Sequence, residues 1–399
     1  MIATFVVTAT PACGFSVASP TVDDAAPVDT APQPDQPLQP DTPTCLPPGP
    51  QLSGLQRGSL VFGANDRAAF APLADVPMDR SVLFTTLRQR EASPANGAVL
   101  CRMMPADSTK PFGIRCQRWT QGSDTPGSQG VIDIQWAVAT FSSGVSVQHG
   151  DANTAARNPF TVTLPQAVDL ARSFVLLSGE WVRQPDWGNN EFVKARLVDE
   201  RTLDVRTAAG GTETWWQVVT VDSAVVQRGT TSLATAATTA SVPISNAQDA
   251  LVVASYTANA TGATAAASMM VDIANRGTQL EISRRQGGVP IEVAWEVVSL
   301  PFFSKAFTTE LAAGEAMKTT SIPDLPAASS VALASTQSVL GPSTGATTYN
   351  GNPADLIGEA AVTLTPRDGD VVVQRTSTTA AATISWTVLD LAHAPCDYQ

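Results

Sequence analysis

The sequence predicts an all-β protein of tandem antiparallel β-sandwich repeats, about four copies of roughly 80 residues, after a disordered N-terminal stalk. Four tryptophans, Trp136, Trp216, Trp295 and Trp386, each lie in a strand-like run: IDIQWAVATF, TETWWQVVTV, IEVAWEVVSL and ATISWTVLDL. The intervals from 136 to 216, 216 to 295 and 295 to 386 are 80, 79 and 91 residues. Period-two alternation fills the intervals, and no convincing amphipathic helix interrupts it. These observations indicate a repeated small β-domain.

The predicted segments account for all 399 residues. Four copies of about 80 residues agree with the two to four domains expected for this length. We expect, in chain order, a signal segment resembling a lipobox (1–13), a Pro/Asp-rich disordered linker (14–50) and β-sandwich repeats at 51–145, 146–223, 224–302 and 303–399.

The N-terminal segment, MIATFVVTATPACGF, is apolar and ends in Thr10-Pro11-Ala12-Cys13. This resembles the end of a lipoprotein signal peptide, with Cys13 as the lipidated residue that would attach the chain to a membrane. No Lys or Arg precedes Arg57, so the basic region of a usual signal is missing, and the segment is short. A start codon assigned too far downstream would explain both features. The alternative is a disordered apolar N-terminus with an incidental cysteine.

Residues 14–50 contain ten prolines and five aspartates and no basic residue. Proline fixes φ and removes a backbone donor, so this segment should form an extended stalk of at most about 110 Å at roughly 3.1 Å per residue. A cysteine followed by such a linker resembles the layout of bacterial surface lipoproteins. We therefore expect a location at the bacterial cell envelope, on the outer surface or secreted.

If Cys13 is lipidated, four cysteines remain, and an even number in an exported chain suggests disulfides. Cys101 and Cys116 lie on successive strand-like runs, where a bridge between neighbouring strands is geometrically natural. We therefore favour this pair. Cys45 with Cys396 follows by elimination and requires the two ends of the array to meet. The alternative is that these last two are unpaired thiols.

Three copies contain a Gln-basic-Gly motif that predicts an opening turn: Gln56-Arg57-Gly58, Gln148-His149-Gly150 and Gln227-Arg228-Gly229. At the expected position the fourth copy reads FFSKAFTTEL and lacks the motif. After each turn an alternating run predicts the first strand: AAFAPL, FTVTLP, ASVPIS and TSIPDL. Later runs complete five or six strands per copy, and the tryptophan-bearing run is the last.

The four tryptophans are predicted to lie in the core, where each would bury roughly 150–250 Å² and hold two sheets together. An opening strand, a hydrophobic second strand, a hairpin and a last strand with tryptophan together resemble the H-type lectin sandwich. The resemblance implies a six-stranded antiparallel sandwich that often forms homo-oligomers and sometimes binds carbohydrate. No sugar-contacting motif of that family can be transferred to individual residues here.

Composition argues against several classes of function. A net charge of −12 and a pI near 4.6 repel phosphate backbones, so we expect no nucleic-acid partner. The chain has two histidines, His149 and His393, and no recognisable spacing builds a catalytic triad or a zinc site. His149 replaces an arginine of the sister copies and is interpreted as a solvated turn residue. We predict that the protein is not an enzyme and needs no cofactor or metal.

The copies differ most in the loop predicted between the second and third strands, and variable loops on a rigid sandwich often carry recognition. In the second copy this loop reads GEWVRQPDWGNNEF. Its candidate ligand-binding residues are Trp181, Arg183, Asp186, Trp187, Asn189 and Asn190. The third copy has Tyr256 in the corresponding loop. Aromatic rings there could stack on a sugar or anchor a surface protein, or they could pack against an adjacent repeat.

The leading hypothesis is a non-enzymatic, lipid-anchored envelope protein that presents its sandwiches for adhesion or carbohydrate binding. The alternative is a structural spacer or a protein that assembles with copies of itself through strand edges. An enzyme with an unfamiliar site is the least favoured class.

Overall fold

The computed structural model describes residues 49–63, 66–89, 99–107, 111–118, 131–154, 158–182, 192–208, 212–245, 247–258, 264–265, 268, 270–336, 348–349 and 360–392. These residues belong to one compact unit, Leu46–Gln399, so the four repeats pack together. The predicted signal segment and stalk, with Cys13 and Cys45, lie outside the described residues, as does Cys396.

Strands dominate the described ranges, and their bounds follow the repeats. Repeat 1 contains β1 (Gln51–Phe62), β2 (Ala68–Pro72), β3 (Ser81–Gln89), β4 (Val99–Met104), β5 (Gly113–Arg118) and β6 (Ile132–Ser143). Repeat 2 contains β7 (Val145–Asn153), β8 (Phe160–Thr163), β9 (Ser173–Val182), β10 (Lys194–Asp199), β11 (Thr202–Arg206) and β12 (Thr212–Val221). Short 3-10 turns at Met78–Arg80 and Ala327–Ser329 precede two of the third strands.

The other two repeats follow the same plan with one short strand added to each. Repeat 3 contains β13 (Val225–Leu233), β14 (Thr239–Pro243), β15 (Leu251–Ala258), β16 (Thr264–Ala265), β17 (Asp272–Asn275), β18 (Gln279–Ser283) and β19 (Ile291–Ser299). Repeat 4 contains β20 (Phe303–Leu311), β21 (Met317–Ser321), β22 (Ser330–Ala334), β23 (Thr348–Tyr349), β24 (Thr363–Arg367), β25 (Asp370–Gln374) and β26 (Ala382–Asp390). The added strands β16 and β23 pair with each other.

Leaving β16 and β23 aside, every repeat is a six-stranded antiparallel sandwich with one topology. Its first sheet has the strand order first, sixth, third, and its second sheet has the order second, fifth, fourth. Examples are β13-β19-β15 and β14-β18-β17 in repeat 3. Between repeats 1 and 2, pairing of Leu100 with Gly179 joins β4 to β9. The all-β, tandem-sandwich prediction is confirmed. So is the Cys101–Cys116 disulfide, which joins directly opposite residues of β4 and β5.

The Gln-basic-Gly motif lies inside the first strand of its repeat, so the predicted turn is wrong. The alternating runs such as AAFAPL are accordingly second strands. Gly58, Gly150 and Gly229 are paired directly with the tryptophans of the sixth strands. A Cβ on these glycines would lie 2.4, 2.8 and 2.5 Å from the tryptophan rings. Glycine is therefore required because the partner's indole covers its face of the strand.

The motif glutamine ties the first strand to the segment 18 residues later. Gln56 accepts a hydrogen bond from the N–H of Ala74, and its amide donates to the carbonyl of Ala74. Gln148 and Gln227 make the same pair of bonds with Gln166 and Ser245. In each case the side-chain amide stands in for a neighbouring strand's backbone and satisfies its polar groups.

The tryptophans of the sixth strands are buried, as predicted. Trp386 is 1% exposed and Trp136 is 9% exposed. The indole N–H groups of Trp295 and Trp386 donate to Thr231 and Thr309. Burial of large aromatic surface stabilises the contact between first and sixth strands in every repeat, and in repeats 3 and 4 the bonded indole N–H adds to it.

Three buried arginines hydrogen-bond to the segments that connect strands within their repeats. Arg118, Arg284 and Arg375 follow or end the fifth strands and are at most 4% exposed. Arg375, for example, donates to the carbonyls of Glu315, Ala380 and Ala312 at 2.8, 2.7 and 2.6 Å. One guanidinium therefore holds together the first-to-second and fifth-to-sixth strand connections.

Three of the four contacts between repeats, including the contact of repeat 4 with repeat 1, share one hydrogen bond. Between repeats 3 and 4 the bond to the fourth strand comes instead from Ser385 of the sixth strand to Asp272. At the other three contacts, a hydroxyl side chain at an equivalent place in the third strand bonds to the fourth strand of the preceding repeat. Ser178 donates to the carbonyl of Cys101, and Ser255 both accepts from and donates to the backbone of Ala195. At the closing contact, the N–H of Leu364 in repeat 4 donates to Thr86 in repeat 1. A head-to-tail contact that returns to its start forms a closed ring.

The basic residue of the motif also forms hydrogen bonds to the preceding repeat. Arg228 in repeat 3 donates to the carbonyls of Leu170 and Ser173, where the third strand of repeat 2 begins. Arg57 in repeat 1 donates to the carbonyl of Ser330, the equivalent position in repeat 4. The contact between repeats 4 and 1 is thus the same kind as that between repeats 2 and 3.

An apolar centre joins the four repeats. It is built from the outward faces of the first sheets, chiefly from their third and sixth strands. Its members include Val82, Phe141, Phe174, Val219, Leu251, Val298, Val331 and Leu389. Because all four repeats contribute to one cluster, the third and sixth strands of the first sheets are buried on both faces, whereas the first strands stay partly exposed.

The connections between repeats lie close together at one end of the ring. Pro50 packs against Gly144, in the connection between repeats 1 and 2, and Asp222 of the next connection donates its N–H to the carbonyl of Gly144. Gly49 packs against Pro301, between repeats 3 and 4. Because neighbouring strands are antiparallel, the third strands run away from this end. The loops that follow the third strands therefore leave at the opposite end.

A buried carboxyl group lies between repeats 2 and 3. Glu296 accepts a hydrogen bond from the N–H of Val175 at 2.7 Å, and Arg228 lies 3.5 Å away. Burial raises the pKa of Glu296 to about 7, although Arg228 and the Val175 bond oppose the shift. At the equivalent place in repeat 2, Gln217 accepts from the N–H of Leu83 and donates to its carbonyl. Glutamine therefore suits this position without ionising.

The glycine opposite a tryptophan should tolerate no side chain. We expect Gly58→Ala to lower the free energy of unfolding by about 1–3 kcal/mol, because its Cβ would lie 2.4 Å from the ring of Trp136. Gly54→Ala, in the same strand with no atom within 4 Å of its Cβ, is the matched control and should be neutral or slightly stabilising. Urea denaturation measures both. Equal effects of the two variants would contradict the role assigned to the indole.

Glu296 should make the protein more stable at pH 5 than at pH 8. Its folded pKa of about 7 exceeds the usual 4.5, so stability falls as pH rises between these values. We expect Glu296→Gln to raise the free energy of unfolding at pH 8 by about 2–3 kcal/mol and to flatten this slope. Glu310→Gln, at an exposed position, is the control. An unchanged pH slope in Glu296→Gln would show that Glu296 is not the titrating group.

Candidate functional site

The residues predicted to bind a ligand are placed only in part. Trp181 lies in β9, where its backbone pairs with Glu213 of β12, so it belongs to a strand and not to a loop. The other five, Arg183, Asp186, Trp187, Asn189 and Asn190, lie outside the described residues. Because the motif forms the first strand, the variable segment follows the third strand of each repeat and not the second.

Two further residues from the sequence analysis lie in strands. Tyr256 is fully buried in β15, and its ring stacks on Phe192 of repeat 2 with centroids 4.9 Å apart. It therefore packs against an adjacent repeat. His149 lies half-buried in β7, with its ring centroid 5.6 Å from that of Trp215, so it is not a solvated turn residue. Burial lowers the pKa of His149, and Asp151 opposes the shift.

Among the described residues, three clefts occupy equivalent places where successive repeats meet. Each lies between the third and fourth strands of one repeat and the first and sixth strands of the next. Their volumes are about 170 Å³ between repeats 2 and 3, about 310 Å³ between repeats 3 and 4 and about 70 Å³ between repeats 4 and 1. The ring symmetry therefore repeats one concave site with different sizes.

The residue at the basic position of the Gln-basic-Gly motif explains the different volumes of the clefts. Arg228 and Arg57 line the two smaller clefts and extend across to the preceding repeat. The equivalent residue in repeat 4 is Ala306, because Phe307 is the residue paired with Trp386. Alanine has no side chain to extend across the gap, so the cleft between repeats 3 and 4 stays open.

The open cleft is lined mainly by polar groups. Thr308 and Ser385 face it, because their hydroxyls form a chain of hydrogen bonds toward Asp272 of repeat 3. The rings of Phe307 and Trp386, with centroids 4.5 Å apart, lie on the opposite face of these strands, since side chains alternate along a strand. The polar residues that line the cleft are Asn275, Arg276, Thr308, Ser335, Ser385 and Thr387. Their hydroxyl, amide and guanidinium groups can hydrogen-bond to a small polar ligand.

A cation, Arg276, lines this cleft. Lys305 Nζ is 5.8 Å from the centroid of the Phe307 ring, on the other face of β20. Arg276 is half-exposed and pairs with Glu281 through Nε at 3.0 Å. A guanidinium has five N–H donors, so this single bond leaves capacity for a ligand.

A buried carboxyl group lies behind the polar wall. Asp272 of β17 accepts hydrogen bonds from the N–H and the hydroxyl of Ser385, both at 2.8 Å. Burial raises the pKa of Asp272 to about 6, while the bonds from Ser385 and the charge of Arg276 lower it. The group can therefore change its charge close to neutral pH.

Sequence reasoning missed this site, although one signal was present. In the fourth copy the motif Gln-basic-Gly becomes Lys305-Ala306-Phe307, and the alanine in place of the basic residue supplies the opening. The departure from the repeat pattern marked the place where the fourth copy differs chemically.

Metal and membrane features, and comparisons with known proteins, add little. Within the described ranges, no group of three or more His, Cys, Asp or Glu side chains could hold a metal ion. In the same part of the chain, no helix is long and apolar enough to cross a bilayer. No protein-family model matches the sequence, and no curated protein matches it. The resemblance to H-type lectins stays a prediction.

Proposed function

We propose that this chain is a non-enzymatic cell-envelope lipoprotein that presents its ring of sandwiches for adhesion through carbohydrate binding. The observation that supports this most is the open cleft between repeats 3 and 4. At about 310 Å³ it lies at the lower limit of usual ligand pockets, which suits one sugar residue. Its hydroxyl-rich lining and the guanidinium of Arg276 can hydrogen-bond to the hydroxyls of a sugar.

The arrangement of the ring agrees with a presenting role. The chain enters at Gly49 and Pro50, at the end where the connections between repeats lie. The third strands end at the opposite end, where β16 and β23, which follow the third strands of repeats 3 and 4, pair. The end that carries this pair is therefore not the end at which the chain enters.

The structural alternative is favoured by a different observation. The closed ring has one continuous apolar centre and repeated hydrogen bonds between repeats. Such a rigid body would suit a spacer, or a unit that assembles with copies of itself, without any small ligand.

Filling the cleft should abolish binding without unfolding the protein. On a glycan array, we expect the fragment Leu46–Gln399 to retain specific glycans and Ala306→Arg to lose them by at least about tenfold, or 1.4 kcal/mol. Arginine already occupies this position in repeats 1 and 3, and Asp249, which accepts the N–H of Ala306 at 3.3 Å, gives it a partner.

Arg228→Ala is the matched control, because it removes the same side chain from a different cleft and should leave retention unchanged. Thermal unfolding checks that all variants fold. Retention that survives in Ala306→Arg but is lost in Trp181→Ala/Trp187→Ala would assign binding to the variable segment of repeat 2. If no glycan is retained by the parent fragment, the structural alternative is preferred.

A further inference from the structure

A chain of hydroxyl groups connects Asp272 to the open cleft. Asp272 accepts the hydroxyl proton of Ser385, and Ser385 Oγ lies 3.2 Å from Thr308 Oγ1. Asp272 and Ser385 are at most 4% exposed, whereas Thr308 is exposed and lines the cleft. The protonation state of a buried acid can therefore be transmitted to an atom that a ligand would touch.

The direction of these hydrogen bonds depends on the charge of Asp272. An ionised carboxylate only accepts, so Ser385 must donate to it and Thr308 must donate to Ser385. Thr308 then offers only lone pairs to the cleft. When Asp272 is protonated it can donate to Ser385, which donates to Thr308, and the Thr308 hydroxyl becomes free to donate to a ligand.

The charges around Asp272 determine when this change occurs. Titratable side chains on the strands packed against β17 are Tyr256 on β15, Glu281 on β18, Lys305 and Glu310 on β20 and Asp390 on β26. Of these, only Glu281 shifts the pKa of Asp272, upward, while Arg276 in the β17–β18 turn shifts it downward. Burial exceeds both effects, so the group titrates near pH 6.

The same surroundings favour a negatively charged ligand. Arg276 lines the cleft and bonds to Glu281 through Nε, which leaves its other N–H donors for an anion. Ionised Asp272 opposes an anion from behind the wall, and its protonation removes that repulsion. Loss of the Asp272 charge and the gain of a donor at Thr308 both increase the affinity for an anionic ligand that accepts hydrogen bonds.

We propose that the cleft between repeats 3 and 4 binds a sugar that carries a carboxylate, and that protonation of Asp272 strengthens this binding. This inference rests on the proposed carbohydrate-binding function. By linkage, the ligand must then raise the proton affinity of Asp272 by the same factor as the proton raises the affinity for the ligand.

Calorimetric titrations with the methyl glycosides of glucuronic acid and glucose test the inference. We expect glucuronate to bind about tenfold more tightly at pH 5 than at pH 8, the effect of a one-unit rise in the pKa of Asp272 on binding. Glucose should bind more weakly than glucuronate at pH 5 and change less than about twofold with pH.

Asp272→Asn should bind glucuronate at pH 8 as the parent does at pH 5. Its amide can donate to Ser385 and its oxygen can accept the Ser385 N–H, so it holds the donor state without charge. Glu296→Gln removes the other buried carboxyl that titrates in this range, and should leave the pH dependence of binding intact. Thr308→Val, at an exposed position, should reduce that dependence and covers the case in which Asp272→Asn does not fold.

The outcomes separate this inference from the proposed function. Glucuronate binding that does not change with pH would overturn the role of Asp272. So would a pH dependence that persists in Asp272→Asn or, should that variant not fold, one that is not reduced in Thr308→Val. A cleft that retains neutral glycans and not glucuronate would overturn the ligand class and leave the proposed function in place. The absence of any glycan binding by the parent would remove the proposed function itself.

Discussion

The structure depends on burying both faces of the third and sixth strands of the first sheet in every repeat. One face packs on the repeat's own second sheet, and the other joins the apolar centre shared by all four. The sixth strands show this in their composition, because runs such as WEVVSL are apolar beyond simple alternation. A repeat taken out of the ring would expose the outer face of its first sheet, so each sandwich is a part of one fold.

Polar groups between the repeats follow from this constraint. A buried interface that repeats four times needs donors and acceptors that match at every contact. A Ser or Thr of the third strand supplies them at three contacts, and Ser385 of the sixth strand does so between repeats 3 and 4. The less regular places are Glu296, Asp272 and Ala306, where individual repeats depart from their sisters. Those departures produce the ionisable groups and the open cleft. The chemical differences among the repeats therefore lie at the contacts between them.

Much of the fold could be predicted from sequence because it is encoded locally. The spacing of the tryptophans, their burial and the Cys101–Cys116 bridge all follow from strand patterns. The turn prediction for the first strands is wrong because Gln and Gly next to a charge are typical of turns. The reason for a glycine in this strand is the ring of Trp136, which pairs with Gly58 from far along the chain. Ring closure and the cleft depend on contacts such as Arg57 with Ser330, which no local pattern encodes.

Ring closure also fixes how many copies this architecture can hold. In a linear array a duplicated repeat adds one more unit at the end and disturbs little. Here each contact turns the chain by about a quarter of a circle, and the fourth copy meets the first through the same surfaces that link the others. A fifth copy would have no free contact surface, because repeats 4 and 1 already contact each other. A lost copy would leave two apolar faces uncovered. Selection can therefore vary the loops and clefts of this protein, but its repeat number can change only if the contact angle changes with it.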